Sequence, residues 1–311
     1  MPKTIAFVMD PMEGLQIAAD TSFAFMLAAA AHDARVLHVL PGDIMLRDGR
    51  VWLRGRYVDV RDKEGDHFSI VEKALVCAND CQAIFIRTDP PFDEDYLTCT
   101  WLLSFAERQG VRVVNSPAGI RSANEKLYAL EFPELCPKTI VTNCRNEALN
   151  FIDSLGGEAI AKPLDGHGGF GVVRVATNDS NTRAIFDLLT QEEKEPILLQ
   201  AFLPEAALGD KRVILVDGKI RGGIVRVPTG GDHRGNVHVG GRVEACEITD
   251  ADRRIEAAIG ERLREDGLNF VGIDVIGDKL IEVNVTSPTL VREIHRLGGP
   301  DIASEVIRSV F

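Results

Sequence analysis

Residues 162–175 read Lys162-Pro-Leu-Asp-Gly-His-Gly-Gly-Phe-Gly-Val-Val-Arg-Val175, and the run after the glycines decides the fold. Gly166, Gly168 and Gly171 satisfy the spacing of a dinucleotide-binding fingerprint. That fingerprint needs a helix after the last glycine, so that the pyrophosphate can lie on its N-terminus. Here an extended, β-branched run takes its place. The segment is therefore strand, glycine loop, strand: a flap, about 165–171, whose bare backbone amides can close over phosphates. A protein kinase also carries such a flap, but its lysine comes after the loop and is accompanied by HRD and DFG motifs. In this chain Lys162 comes before the loop and neither motif occurs.

Outward from the flap, strands pair as hairpins. Ala159–Lys162 pairs with Val172–Val175, Val213–Val216 with Ile220–Val225, and Phe270–Ile276 with Leu280–Val285, flanked by helices near 145–155, 181–193 and 250–266. The earlier part differs. Ile5–Met9 is a continuous apolar run, as in a strand buried on both faces. Asp20-Thr21-Ser22 can cap a helix reaching Ala31. Strands come next at Val36–Leu40, Ala83–Arg87 and Val111–Val114, with a hairpin turn at Asp48-Gly49 and a helix over 95–109. This rhythm predicts an α/β N-terminal domain with an open, mostly parallel sheet over 1–122, then an α+β domain with antiparallel sheets over 123–311. In the first, ligands belong at the carboxyl ends of strands, after Met9 and Ile86.

The bulk numbers narrow the class. The 311 residues are 45% hydrophobic and 26% charged, with a formal net charge of −12. A chain this acidic is a poor partner for nucleic acid or an anionic membrane. Phe23–Ala31, the most apolar stretch, is too short to span a bilayer. The start shows no signal peptide. The six cysteines, at 77, 81, 99, 136, 144 and 246, make no CxxC pair or Cys/His metal spacing. They suit a reducing, cytoplasmic setting.

Three further groups could carry chemistry. Glu282 and Asn284 are two apart on a strand and share a face. If a three-residue loop (277–279) joins the hairpin, Asp274 pairs with Glu282 and three hard oxygen ligands gather, suiting Mg²⁺. A two-residue loop would instead set Asp274 opposite Ile281. A basic run holds Lys211, Arg212, Arg221, Arg226, Arg234 and Arg242, and its last members frame a glycine-rich loop, 227–241, of the kind that forms lids. Arginine fits carboxylate and phosphate oxygens in bidentate fashion. His233 and His238 have no metal-ligand spacing. Gln200-Ala-Phe-Leu-Pro204, with Asp210 beyond it, reads as a strand entering a connector that could hold an adenine between lobes.

In order and spacing, Val8-Met-Asp-Pro11, Arg87-Thr-Asp-Pro-Pro-Phe-Asp93, Asn124-Glu-Lys-Leu127, Lys162-Pro-Leu-Asp-Gly166, Gly209-Asp-Lys-Arg212, Gly240-Gly-Arg242 and Glu282-Val-Asn-Val-Thr-Ser-Pro288 resemble the ATP-grasp superfamily, and within it the bacterial glutathione synthetases. His167 departs from the methionine often found there. The resemblance makes residues 123–311 an ATP-grasp domain. It implies ligation of γ-glutamylcysteine to glycine through an acyl phosphate, with ATP as co-substrate and Mg²⁺, or alternatively Mn²⁺, as cofactor. It places ATP on Lys126, Lys162, Gly168, Gly169, Gln200, Leu203 and Asp210, and the metal on Asp274, Glu282 and Asn284. It gives Arg87 a dipeptide carboxylate and Arg212 the transferring phosphoryl group. Arg226, Arg234 and Arg242 serve the catalytic and substrate end and the lid. It suggests a homotetramer. The alternatives are another ATP-grasp carboxylate–amine ligase, or an ATP-binding regulatory protein without turnover.

Overall fold

The computed structural model describes residues 3–228 and 242–311. The first sheet holds β1 (Thr4–Val8), β2 (Arg35–Arg47), β3 (Arg50–Val60), β4 (Phe68–Cys77), β5 (Cys81–Ile86) and β6 (Val113–Val114), in the order β4-β3-β2-β1-β5-β6. β2, β1, β5 and β6 run parallel, while β3 and β4 add an antiparallel wing. The wing follows from the turn at Asp48-Gly49, both at positive φ (51° and 74°), as a two-residue hairpin requires. β4 itself was not expected from the sequence pattern.

The apolar run of β1 is explained by burial on both sides. Ile5 and Phe7 pack with Phe23 and Phe25 of the helix Thr21–Ala31. Ala6 and Val8 pack with Cys99 and Leu103 of the helix Glu94–Arg108. Asp20 caps the first helix, accepting from the Phe23 amide at 2.6 Å.

The second sheet is antiparallel: β7 (Thr139–Thr142), β8 (Glu158–Pro163), β9 (Val173–Ala176) and β10 (Ile197–Ala201), in the order β7-β10-β8-β9. One face carries the helices Arg145–Ser154 and Thr182–Leu189 over a core of its own, including Ile152, Phe186, Ile197 and Leu199. The third sheet contains β11 (Asp210–Val216), β12 (Lys219–Val227), β13 (Arg242–Ala245), β14 (Phe270–Ile276) and β15 (Lys279–Asn284), in the order β13-β12-β11-β14-β15. It has no separate core. Val213, Leu215, Val271 and Ile273 join the cluster around Ala6 and Val8. Ile214, Val216 and Phe270 join the cluster around Phe7 and Phe25. The molecule therefore packs as a body of two fused sheets with a small lobe set against it.

No helix among the described residues is long and apolar enough to cross a membrane. All six cysteines are free thiols, four of them buried.

Candidate active site

Between lobe and body lies a cavity of about 960 Å³, near the upper end of the usual range for small-molecule sites. Its body wall is one face of the third sheet. Strand pairing sets Asp210 opposite Arg226, Arg212 opposite Asp274, and Asp274 opposite Glu282. The last pairing arises by a route the loop arithmetic did not foresee. The turn is the two-residue one, since Ile276 pairs with Lys279, but a β-bulge leaves Ile281 unpaired and restores Asp274 to Glu282.

Four of these side chains form one charge network. Arg226 donates to both oxygens of Asp210, at 2.6 and 2.8 Å, and its Nη2 lies 3.0 Å from Asp274 Oδ2. Arg212 grips Asp274 through Nε and, at 3.0 Å, through Nη2. Burial alone would raise the Asp274 carboxyl, but the charges of Arg212 and Arg226 outweigh it and hold it well below the usual carboxylate range. Burial pushes Asp210 up, and Arg226 only partly offsets this. Gly272 makes room for the network. A Cβ there would meet Arg212 Cδ at 3.0 Å and Pro288 Cβ at 3.1 Å.

The lysines come from both sides, Lys126 from the body and Lys162 from the lobe. Asn124 caps the short helix Glu125–Ala129 and accepts from the amides of Lys126 and Leu127 at 3.1 Å. This aims Lys126 at Glu282, 3.2 Å away, and at the Gly166 carbonyl of the flap. Lys162 of β8 donates to Gln200 Oε1 at 3.0 Å, and Gln200 donates onward to Thr139 at 3.1 Å. Burial lowers the Lys162 pKa, and the charge of Glu282 opposes this. Gly168 and Gly169 (φ 61° and 81°), Leu203 and Asn284 also line the cavity. The glycine loop is strand–loop–strand, with Ala161 paired to Val173.

At the far end sits Arg87, 4% exposed, donating to Ser22 Oγ at 3.0 Å and to the Pro288 carbonyl at 2.9 Å. Burial lowers its pKa and the charge of Asp20 opposes that.

Not every expected residue converges. Arg242 lies on β13 with its side chain 69% exposed, pairs with Glu244, and does not line the cavity. Lys211 and Arg221 hold the fold, pairing with Asp252 and Glu305. Arg234, His233, His238 and most of the 227–241 loop lie outside the described residues. Asp210, expected at a ribose, is engaged by Arg226, and Asp274, expected at a metal, by two arginines. Among the described residues no group of three His, Cys, Asp or Glu forms a metal cage.

Other residues in and around the site went unnoticed in the sequence. Glu125 Oε1 accepts from Val285 N (2.8 Å), Thr286 N (3.0 Å) and Thr286 Oγ1 (2.8 Å), fixing the segment after Asn284. His38, 1% exposed, accepts from Arg56 Nε at its Nδ1 (3.2 Å), so its Nε2 keeps the proton and donates to the Asp10 carbonyl at 3.0 Å. Arg56 in turn forks onto Glu13 at 2.7 and 2.9 Å. The signal for Glu125 lay inside the Asn124-Glu-Lys-Leu127 motif. His38 sits in an ordinary strand pattern and gave none.

Two family models cover nearly the whole chain: the prokaryotic glutathione synthetase N-terminal domain over residues 4–121 and the prokaryotic glutathione synthetase ATP-grasp domain over 125–299. The glutathione synthetase of Agrobacterium fabrum is 43% identical over 302 residues, covering 97% of this chain and 94% of that protein. That of Thermosynechococcus vestitus is 42% identical, covering 99% of each. Among solved structures, the D-cycloserine synthetase DcsG superposes with a TM-score of 0.68 at 15% identity, covering 99% of this chain and 98% of its own. The ATP-grasp ligase PsnB with a minimal precursor gives 0.64 at 18%, covering 99% and 98%. These two speak for the fold alone. With near-complete coverage by both domain models and full-length relatives above 40% identity, the chain belongs to the prokaryotic glutathione synthetases.

Proposed function

We propose that the protein joins the cysteinyl carboxylate of γ-glutamylcysteine to the amine of glycine at the expense of ATP, giving glutathione, ADP and phosphate. The observation that carries this is the cavity itself: Lys162 and a glycine flap on the lobe wall, Lys126 and a buried arginine–carboxylate network on the body wall, and a fixed arginine at the end.

A carboxylate is a poor acyl donor, because oxide is a poor leaving group. Attack of the cysteinyl carboxylate on the γ-phosphorus forms an acyl phosphate and releases ADP. The amine of glycine then attacks the acyl carbon and phosphate leaves. Charge spreads over the phosphoryl oxygens during transfer, so catalysis is mostly positioning and electrostatic stabilisation. Lys126 and Lys162 are placed to hold ATP phosphates, with Gly168 and Gly169 above them. Gln200 and Leu203 flank an adenine slot, and Asp210 would meet the ribose once freed from Arg226. Arg212 and Arg226 face the transferring group. Arg234 is proposed for the substrate end and the lid, while Arg242, paired with Glu244 in solvent, could serve only the lid. The lid and flap would exclude water, which would otherwise hydrolyse the acyl phosphate.

Glu282 and Asn284 offer hard oxygens on the cavity face. Asn284 spends its amide nitrogen on the Gly272 carbonyl at 3.2 Å, leaving its oxygen as an acceptor. They would hold Mg²⁺, or Mn²⁺, joined by Asp274 if Arg212 moves to the phosphoryl group. The ion would neutralise phosphate charge. A cytoplasmic setting, which the free thiols suit, and a homotetramer, which the family resemblance suggests, belong to the same proposal.

The test is phosphate release with ATP and Mg²⁺, with γ-glutamylcysteine and glycine supplied separately and together and the product identified by mass. Glutathione formed only with both supports the proposal. Phosphate with a different acid–amine pair but not this one keeps an ATP-grasp ligase and changes its substrates. ATP binding without turnover on any pair makes the protein regulatory.

A further inference from the structure

Three consecutive residues join the walls of the cavity, and each holds a different part. Asn124 Nδ2 donates to the Leu164 carbonyl of the lobe at 3.1 Å. Lys126 meets the Gly166 carbonyl of the flap and Glu282 of the body. Glu125, between them, lines the cavity and holds the chain just beyond β15. Its Oε1 accepts from the amides of Val285 and Thr286 at 2.8 and 3.0 Å and from Thr286 Oγ1 at 2.8 Å. Those amides lie past the end of the strand, so this side-chain oxygen takes the place of a ladder partner. Val285 is fully buried, and its carbonyl accepts from Asn115 Nδ2 at 2.8 Å. The chain at this point is therefore gripped from two directions.

The gripped residues are the middle of a segment that runs along the cavity. Glu282 and Asn284, the hard oxygens proposed for the metal, come just before them. The Pro288 carbonyl, which receives Arg87 at 2.9 Å, comes just after. We propose that Glu125 is a positioning residue that sets the span between the phosphate end and the Arg87 end of the active site, so that the donor carboxylate meets the γ-phosphorus in line. Such alignment tolerates little error, since a displacement of about 1 Å can cost about a hundredfold in rate. The proposal rests on the glutathione synthetase reading and adds to it a residue that acts through others. A carboxylate here has a rival use, taking the proton from the glycine ammonium. The two uses need different things: pinning needs an oxygen at the reach of glutamate, and proton transfer needs the charge.

The experiment compares Glu125→Gln, Glu125→Asp and Glu125→Ala in turnover of ATP, γ-glutamylcysteine and glycine, with melting followed with and without ATP and Mg²⁺. Glutamine keeps an accepting oxygen at the same reach and loses the charge. Aspartate keeps the charge and falls one methylene short. Alanine loses both. Pinning predicts that Glu125→Gln keeps kcat within about threefold of wild type, while Glu125→Asp and Glu125→Ala lose about a hundredfold. KM for each substrate stays within about threefold, because the contacts at either end remain, and ATP with Mg²⁺ stabilises every variant as it does wild type. A Glu125→Gln as impaired as Glu125→Ala gives the charge a chemical role and overturns the proposal. Glu125→Asp and Glu125→Ala that melt earlier with kcat intact reduce the residue to a structural contact and overturn it too. Both results leave the synthetase reading standing, whereas a wild type that makes no glutathione overturns both. If Glu125→Ala does not fold, the contrast between glutamine and aspartate decides.

Discussion

The two walls of the cavity are built on different plans. The lobe of β7–β10 has its own small core and presents its groups singly: Lys162 rests on one neutral hydrogen bond to Gln200. The body wall is continuous with both main cores, and its polar groups form a closed network in which Asp210, Arg212, Arg226 and Asp274 satisfy one another. The body is thus a fixed template whose charges depend on each other. The lobe is a separately packed cover, joined to it through contacts such as Lys126 with Gly166 and Asn124 Nδ2 with the Leu164 carbonyl at 3.1 Å.

The contrast is sharpest at Asp274. Asp274→Ala leaves Arg212 and Arg226 buried without their shared partner, so stability in urea should fall by roughly 3–5 kcal/mol. Ligase activity should fall by about a thousandfold, because the network faces the transferring group. A variant as stable and active as wild type would break the idea of a fixed, mutually dependent wall. Ile152→Ala, inside the lobe core, should cost about 2–5 kcal/mol. Hydrogen exchange should show the lost protection concentrated in the lobe strands. A loss spread evenly over the first sheet would mean that lobe and body unfold as one.

Smaller effects are expected at single contacts. Lys162→Met should raise KM for ATP by about tenfold with stability changed by less than about 0.5 kcal/mol. Lowered stability of more than that would show Lys162 holding the fold. The smallest effect is expected at Glu13. Its hydrogen bonds to Arg56 are the main reason its pKa falls from 4.5 to about 2. Its stabilisation is therefore fully present above pH 4.5 and is lost as pH falls towards 2. The side chain is 57% exposed, so Glu13→Gln should cost under about 1 kcal/mol at neutral pH. The gap from wild type should close on acidification, and one that widened would contradict the pairing.

The legibility of the sequence divides along similar lines. Elements with a strong local pattern were legible. These include β1 with its unbroken apolar run, the helix after Asp20, the hairpins flanking the glycine loop, and the lysines and Arg87 inside recognisable motifs. Edge elements such as β4 and β7 were not, since their half-exposed patterns resemble connectors. The bulge at Ile281 was hidden because it leaves no mark on loop length. Residues whose meaning lies in a distant partner were missed as well. Glu125 and Val285 are one hundred and sixty positions apart and come together only because the helix Glu125–Ala129 packs against β15. Arg242 shows the converse: its place in a motif pointed to the site, yet its side chain faces solvent on an edge strand.

The claim that the cavity activates a carboxylate by phosphorylating it can be tested directly. γ-Glutamylcysteine carrying heavy oxygen in its cysteinyl carboxylate would be turned over with ATP and glycine, and the released phosphate analysed by mass. Passage through an acyl phosphate requires one heavy oxygen to leave with each phosphate. Glutathione formed alongside unlabelled phosphate would contradict the account.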